Sequence, residues 1–168
     1  MLPIFPATTR ILSRIFRMDA IDRKILAELQ QDGRISVTDL AQKVGLSLSP
    51  CHRRVRALEE SGVIRGYRAE LDPGALGLDF SSLVFVTLKD SKSVPAFEDA
   101  VARLDNVVQA QRLFGDPDYL LQVVVRDLPA FQRLYDEQLT ALPGVQRMTS
   151  TLVMKHVVVN RPLTSAME

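Results

Sequence analysis

One cysteine, Cys51, and no tryptophan occur in 168 residues. A lone thiol leaves no intramolecular disulfide to form, so the chain suits a reducing cytoplasm. One cysteine and two histidines are too few for a structural zinc site. No apolar run approaches the length of a membrane span, and neither a phosphate-cradling glycine loop nor a metal-ligand spacing is present. An excess of charge is also missing. The 21 Lys and Arg face 20 Asp and Glu, for a net charge of +1, which argues against a histone-like polyanion binder. Apolar residues are plentiful at 46%, enough to build one large domain or two small ones without staples.

The densest pattern is the run Ser47-Leu48-Ser49-Pro50-Cys51-His52-Arg53-Arg54-Val55-Arg56. Just before it, Ser36 caps a helix with Asp39 three residues on. Val37, Leu40, Ala41 and Val44 then share one face. Gly45 turns the chain, Leu46 tucks inward and Ser47 caps a second helix, with Pro50 in its first turn where the missing N–H costs little. Leu48, Cys51, Val55 and Leu58 form the expected buried stripe, and Gly62 the stop. A helix from Asp19 to about Gln31, with Ile21, Ile25, Leu26 and Leu29 inward, completes a three-helix core. Such a second helix is the kind presented to the major groove of DNA. In that reading Ser47, Ser49 and Arg54 place it on phosphates, and His52, Arg53 and Arg56 reach base edges, with Pro50 shaping its first turn. The competing reading is a solvated arginine-rich face. Met18 to Asp72 holds nine Lys and Arg against nine Asp and Glu, less basic than a DNA-binding domain usually is. The tight turn and the acid-free run favour DNA, with charge concentrated by pairing two copies.

Beyond Gly62 the period changes from helical to alternating. Strands are predicted over Val63–Leu71, Ser82–Lys89, Val107–Phe114, Tyr119–Arg126 and Val145–Val159, with helices over Val94–Leu104 and Leu128–Leu142. From Ser82 the order is βαββαβ, an α+β ferredoxin-like sandwich. Phe85, Val123 and Val157 suggest that its second sheet face is also apolar, and another subunit is the default cover. Residues 1–17 carry Arg10, Arg14 and Arg17 without an acid. They are expected to be a poorly ordered or partner-docked extension.

From Met18 onward the chain resembles the Lrp/AsnC (leucine-responsive/asparagine-responsive) family of prokaryotic transcription regulators. The resemblance rests on Ile21-Asp22-Arg23-Lys24-Ile25-Leu26, Asp32-Gly33-Arg34-Ile35-Ser36, Val44-Gly45-Leu46-Ser47, Pro50-Cys51 and Arg54-Val55-Arg56-Ala57-Leu58-Glu59. It continues in Gly62-Val63-Ile64-Arg65-Gly66-Tyr67, Gly115-Asp116-Pro117-Asp118-Tyr119-Leu120-Leu121 and Leu142-Pro143-Gly144-Val145. Departures are Leu48, where proline often stands, and Pro117. The resemblance implies a winged-helix-like helix-turn-helix domain over residues 18–62 and a linker strand and turn over 63–79. It further implies a ferredoxin-like effector and oligomerisation domain over 80–168. It also implies dimers that often assemble into octameric rings or helices, and a free amino acid bound in clefts between dimers, at the Gly-Asp-x-Asp turn and the start of the last strand.

The residues permit such a pocket. Gly115 allows a close turn, Asp116 and Asp118 suit an α-ammonium group, and Tyr119 supplies an apolar wall with a polar tip. Thr149, Ser150, Thr151 and Arg112 are candidates for an α-carboxylate. No cofactor or metal is expected. An enzyme is disfavoured because neighbours such as Cys51 and His52 point about 100° apart on a helix, with no third group to orient the histidine. The alternative is an amino-acid sensor that regulates a partner enzyme without DNA.

Overall fold

The structure, a computed structural model, describes residues 18–166, so the extension expected over residues 1–17 lies outside the described residues. Two compact units divide it, residues 18–69 with 158–166, and Glu70–Val157. The first crossing falls inside the expected linker. By its contacts the segment from Val158 onward groups with the first unit.

In the first unit, α1 (Ala20–Gln31) begins at Asp19, which accepts from the N–H groups of Ile21 and Asp22 at 2.9 and 2.8 Å. Asp22 returns the bond by accepting from Asp19 N–H at 3.1 Å, so two acids here build the reciprocal cap. Helix α2 (Val37–Val44) starts at Ser36, whose Oγ accepts from Asp39 N–H at 3.1 Å and donates to the Asp39 carboxylate at 2.6 Å. The turn at Gly45 leads into α3 (Leu48–Glu60). Ile25, Leu40, Ala41, Val44, Cys51 and Leu58 form the core. Leu48 does not join them. It begins α3 one turn beyond the end of that core and is 53% exposed.

No strand forms over Val63–Leu71. Alternation marks a strand only where a neighbour supplies the ladder, and Val63, Tyr67 and Leu71 stay exposed. Near the C-terminus a single turn, Leu163–Ala166, packs on α1, where Thr164 N–H donates to Gln30 Oε1 at 3.0 Å.

The second unit is the expected sandwich. Strands β1 (Phe80–Leu88), β2 (Val107–Arg112), β3 (Tyr119–Val125) and β4 (Val145–Leu152) make an antiparallel sheet in the order β2-β3-β1-β4. Helices α4 (Val94–Val101) and α5 (Leu128–Leu134) supply the other layer, and α5 continues as a wider turn over Tyr135–Leu139. Val84, Val86, Leu121, Val123, Phe97 and Leu139 are buried between the layers. Val123 therefore lies on the helix-covered face, contrary to the sequence reading. Phe85 lies on the open face with Leu83, Leu120 and Val124, each half-buried. Val157 lies outside the sheet altogether, because β4 ends at Leu152 and not at Val159. Past Val153, whose N–H donates to Ser81 at 2.9 Å, β1 has no further partner residues to offer.

Candidate functional site

Two places gather chemistry. The first is the outer face of α3, where Ser47, Ser49, His52, Arg53 and Arg56 are all exposed. Ser47 makes no side-chain cap bond and the first turn carries no acid, so nothing local offsets the positive end of the helix dipole. Arg56 leans on Glu60 at 2.7 Å, an exposed pair four residues apart; such a pair contributes little and opens readily. Among the described residues Arg53 and His52 take part in no ion pair. Pro50 is half-buried in the first turn.

Arg54 is engaged differently from its neighbours. Its Nη1 donates to Asp19 Oδ2 and to Asp22 Oδ1, both at 2.8 Å, which ties α3 to the start of α1. The Asp22 N–H, with a smaller contribution from Arg54, holds the Asp19 carboxyl below its usual range. Asp22 itself is buried. Removing it leaves Arg54 with Asp19 alone and takes away the bond that Asp22 returns to the Asp19 N–H, so Asp22→Ala is expected to destabilise the first unit by about 2 kcal/mol. That is less than the loss for a fully buried pair, because Arg54 still meets water. Urea unfolding of the two proteins checks it, and a change under 0.5 kcal/mol, roughly the level of a surface substitution, would contradict the tie.

The second place is the turn between β2 and β3. The turn closes with Leu113 N–H on Asp118 O at 2.7 Å. Gly115 sits at φ +133° with open space where a Cβ would point. Its conformation, and not crowding, requires glycine there. Around the turn lies a cleft of about 570 Å³ lined by Thr87, Gly115, Asp116, Asp118, Gln146 and Arg147. Asp116 accepts from Thr87 Oγ1 at 3.0 Å, and its two oxygens accept from Arg147 Nη2 at 3.1 and 3.0 Å. The Thr87 hydrogen bond, then Arg147, holds the Asp116 carboxyl below its usual range. Asp118 accepts from Leu88 N–H at 2.7 Å, which pins the turn to β1. Arg147 and Asp116 remain 64% and 68% exposed. The cleft thus presents a cation and an anion side by side, held together by a weak, solvated pair.

Both units match known proteins in register. Residues 18–65 match the winged helix-turn-helix DNA-binding family, and residues 81–163 match the Lrp/AsnC ligand binding domain. The leucine-responsive regulatory protein of Rhizobium meliloti is 46% identical over 142 residues, 83% of this chain and 91% of that protein. The chain belongs to the Lrp/AsnC family. Its Escherichia coli relative of the same description is 44% identical over 144 residues, covering 83% of this chain and 87% of that one. A transcriptional regulator from Neisseria meningitidis, solved with L-methionine, superposes with a TM-score of 0.84. It is 33% identical and covers 89% of this chain and 99% of its own.

Within this Lrp/AsnC protein the residues expected to bind an effector do not all meet. Gly115, Asp116 and Asp118 line the cleft. Tyr119 does not: it is buried beside Phe97 with ring centroids 4.6 Å apart, and its hydroxyl donates to Glu98 at 2.6 Å. Burial, with help from Glu98, pushes that hydroxyl well up from its ordinary value. Arg112 pairs across from Tyr119 and is exposed at the end of β2. Thr149 and Thr151 stand opposite Phe85 and Leu83 on the open sheet face. Ser150 points the other way, into a separate recess of about 330 Å³ beside Phe131 and Tyr135. The sequence reading missed Thr87, Gln146 and Arg147. Their only signal was an acid pair in a tight turn that lacked an obvious cation.

Proposed function

We propose that this regulator binds promoter DNA as a dimer or larger assembly through α3, and that a free amino acid in the Gly115–Asp118 cleft governs that assembly. The observation that carries the effector assignment is the Asp116–Arg147 pair at 3.0 Å, facing solvent in a cleft. An α-amino acid is a zwitterion: its ammonium group suits Asp116 and its carboxylate suits the guanidinium of Arg147. The names of the relatives, leucine-responsive and methionine-bound, support the same ligand class. Self-association is supported by the open face at Leu83, Phe85, Leu120 and Val124, and by Met154 and Val157, which are 95% and 85% exposed.

On DNA, two copies would set two α3 helices in successive major grooves about one helical turn apart. Ser47 and Ser49 meet phosphates, His52, Arg53 and Arg56 face base edges, and Arg54 fixes the helix angle through Asp19 and Asp22. A catalytic role for Cys51 is disfavoured, because burial pushes its thiol up and keeps it protonated. A partner on the chromosome supports a cytoplasmic location.

The test is binding to DNA upstream of the gene across the twenty amino acids, with particle size followed in parallel. Arg53→Ala removes a cation from the interface, so it is expected to weaken binding and to lower the slope of log affinity against log salt. An unchanged slope and affinity would favour the sensor that acts without DNA. Linkage requires DNA to change effector affinity by the same factor that effector changes DNA affinity.

A further inference from the structure

We infer that Leu48 determines specificity in the DNA interface by packing on the C5-methyl group of a thymine in the major groove. The inference rests on α3 being the DNA-binding helix. Leu48 is the first residue of α3 and is 53% exposed, while the core of its unit closes around Cys51 and Leu58 without it. A single exposed leucine is ordinary on a surface. This one is distinguished by its company. At about 100° per residue, its side chain lies about 40° round the helix from His52 and about 100° from Ser49. Both neighbours are exposed and polar, and Arg53 and Arg56 continue the same face. Helices that enter the major groove place their N-terminal residues nearest the bases. The one apolar group on a major-groove base edge is the thymine methyl. Hydroxyl, imidazole and guanidinium groups gain little from that methyl, and among the described residues Leu48 is the only exposed apolar side chain in the first turn of α3. By helix angle its other flank borders the stripe of Cys51 and Val55.

A binding duplex is selected from random sequence with the full-length protein, and each thymine is then replaced singly by deoxyuridine, which removes only the methyl. Wild type is expected to lose about fourfold in affinity at one thymine in each half-site, the worth of one buried methyl. Leu48→Ala is expected to bind thymine and deoxyuridine equally there, while Arg53→Ala, which lowers affinity and salt slope overall, keeps the fourfold difference. If no thymine shows a methyl effect, or if the effect persists in Leu48→Ala, Leu48 is not the reader. Failure of the underlying DNA assignment reads differently: no duplex is selected, or Arg53→Ala leaves affinity and salt slope untouched. Because Leu48 is exposed and outside the core, the variant should melt with wild type, and the melting curve is recorded for both.

Discussion

Gly144→Ala is expected to cost the second unit about 2–4 kcal/mol. Two causes combine. Gly144 has φ +72°, a conformation that costs an L-residue about 1 kcal/mol. In addition, a Cβ there would overlap Cβ and Oγ of Ser93, and such overpacking costs about 1–3 kcal/mol. Neither neighbour can retreat easily. Ser93 leads into α4 and is held by Asp90, which accepts from its N–H at 3.1 Å and its hydroxyl at 3.3 Å. Gly144 itself accepts from Lys89 N–H at 2.8 Å, next to the irregularity where β4 joins β1. Urea unfolding of wild type, Gly144→Ala and the double variant with Ser93→Gly separates the two causes. The double variant should recover the steric share and retain a deficit of about 1 kcal/mol. An alanine variant within 0.5 kcal/mol of wild type would refute both.

Arg147→Ala is expected to weaken effector binding by about 10- to 100-fold, the worth of one charge-assisted hydrogen bond to a carboxylate. Titration calorimetry with L-leucine and L-methionine as probes measures it. Arg147→Lys should recover only part, since an ammonium group cannot reproduce the planar fork of a guanidinium. The pH profile reports on the anion beside it. Asp116 in the folded chain titrates below its ordinary 3.8, with the Thr87 hydrogen bond as the larger cause. Its contribution is therefore present above that value and is lost as pH falls through the lower, folded one. Affinity should hold from neutral pH down to about 4, and Thr87→Val should make it fall off earlier. Equal affinity in wild type and Arg147→Ala would remove the cleft from consideration.

The sequence made the βαββαβ order and the helix-turn-helix legible, because both rest on local periodicity and on turn residues such as Gly45, Pro143 and Gly144. Failures occurred where a side chain's fate depends on a distant partner. Arg54 and Arg53 look alike in sequence, yet Asp19 and Asp22, more than thirty residues earlier, hold only Arg54. Leu48 fits the apolar stripe by angle and misses the core because the core stops one turn short of it. Tyr119 suits a pocket wall by its chemistry, but strand parity turns it under α4. Thr149, Ser150 and Thr151 cannot share a site, since neighbours on a strand face opposite ways. Arg147 reaches Asp116 through the register of β4 on β1, which opposes Arg147 to Thr87; no short stretch of sequence encodes that match.

The packing of Thr164 on Gln30 bears on how the molecule comes into being. Because the chain leaves the first unit at Ala69 and rejoins it at Val158, a ribosome finishes every strand of the sheet before the last segment of the DNA-binding unit emerges. Three helices with a shared core are available early, but the turn that closes over α1 arrives only after Asp116 and Arg147 have both been made. The three-helix core is therefore complete before the sheet is made, and the contact of Thr164 with Gln30 is added only after it.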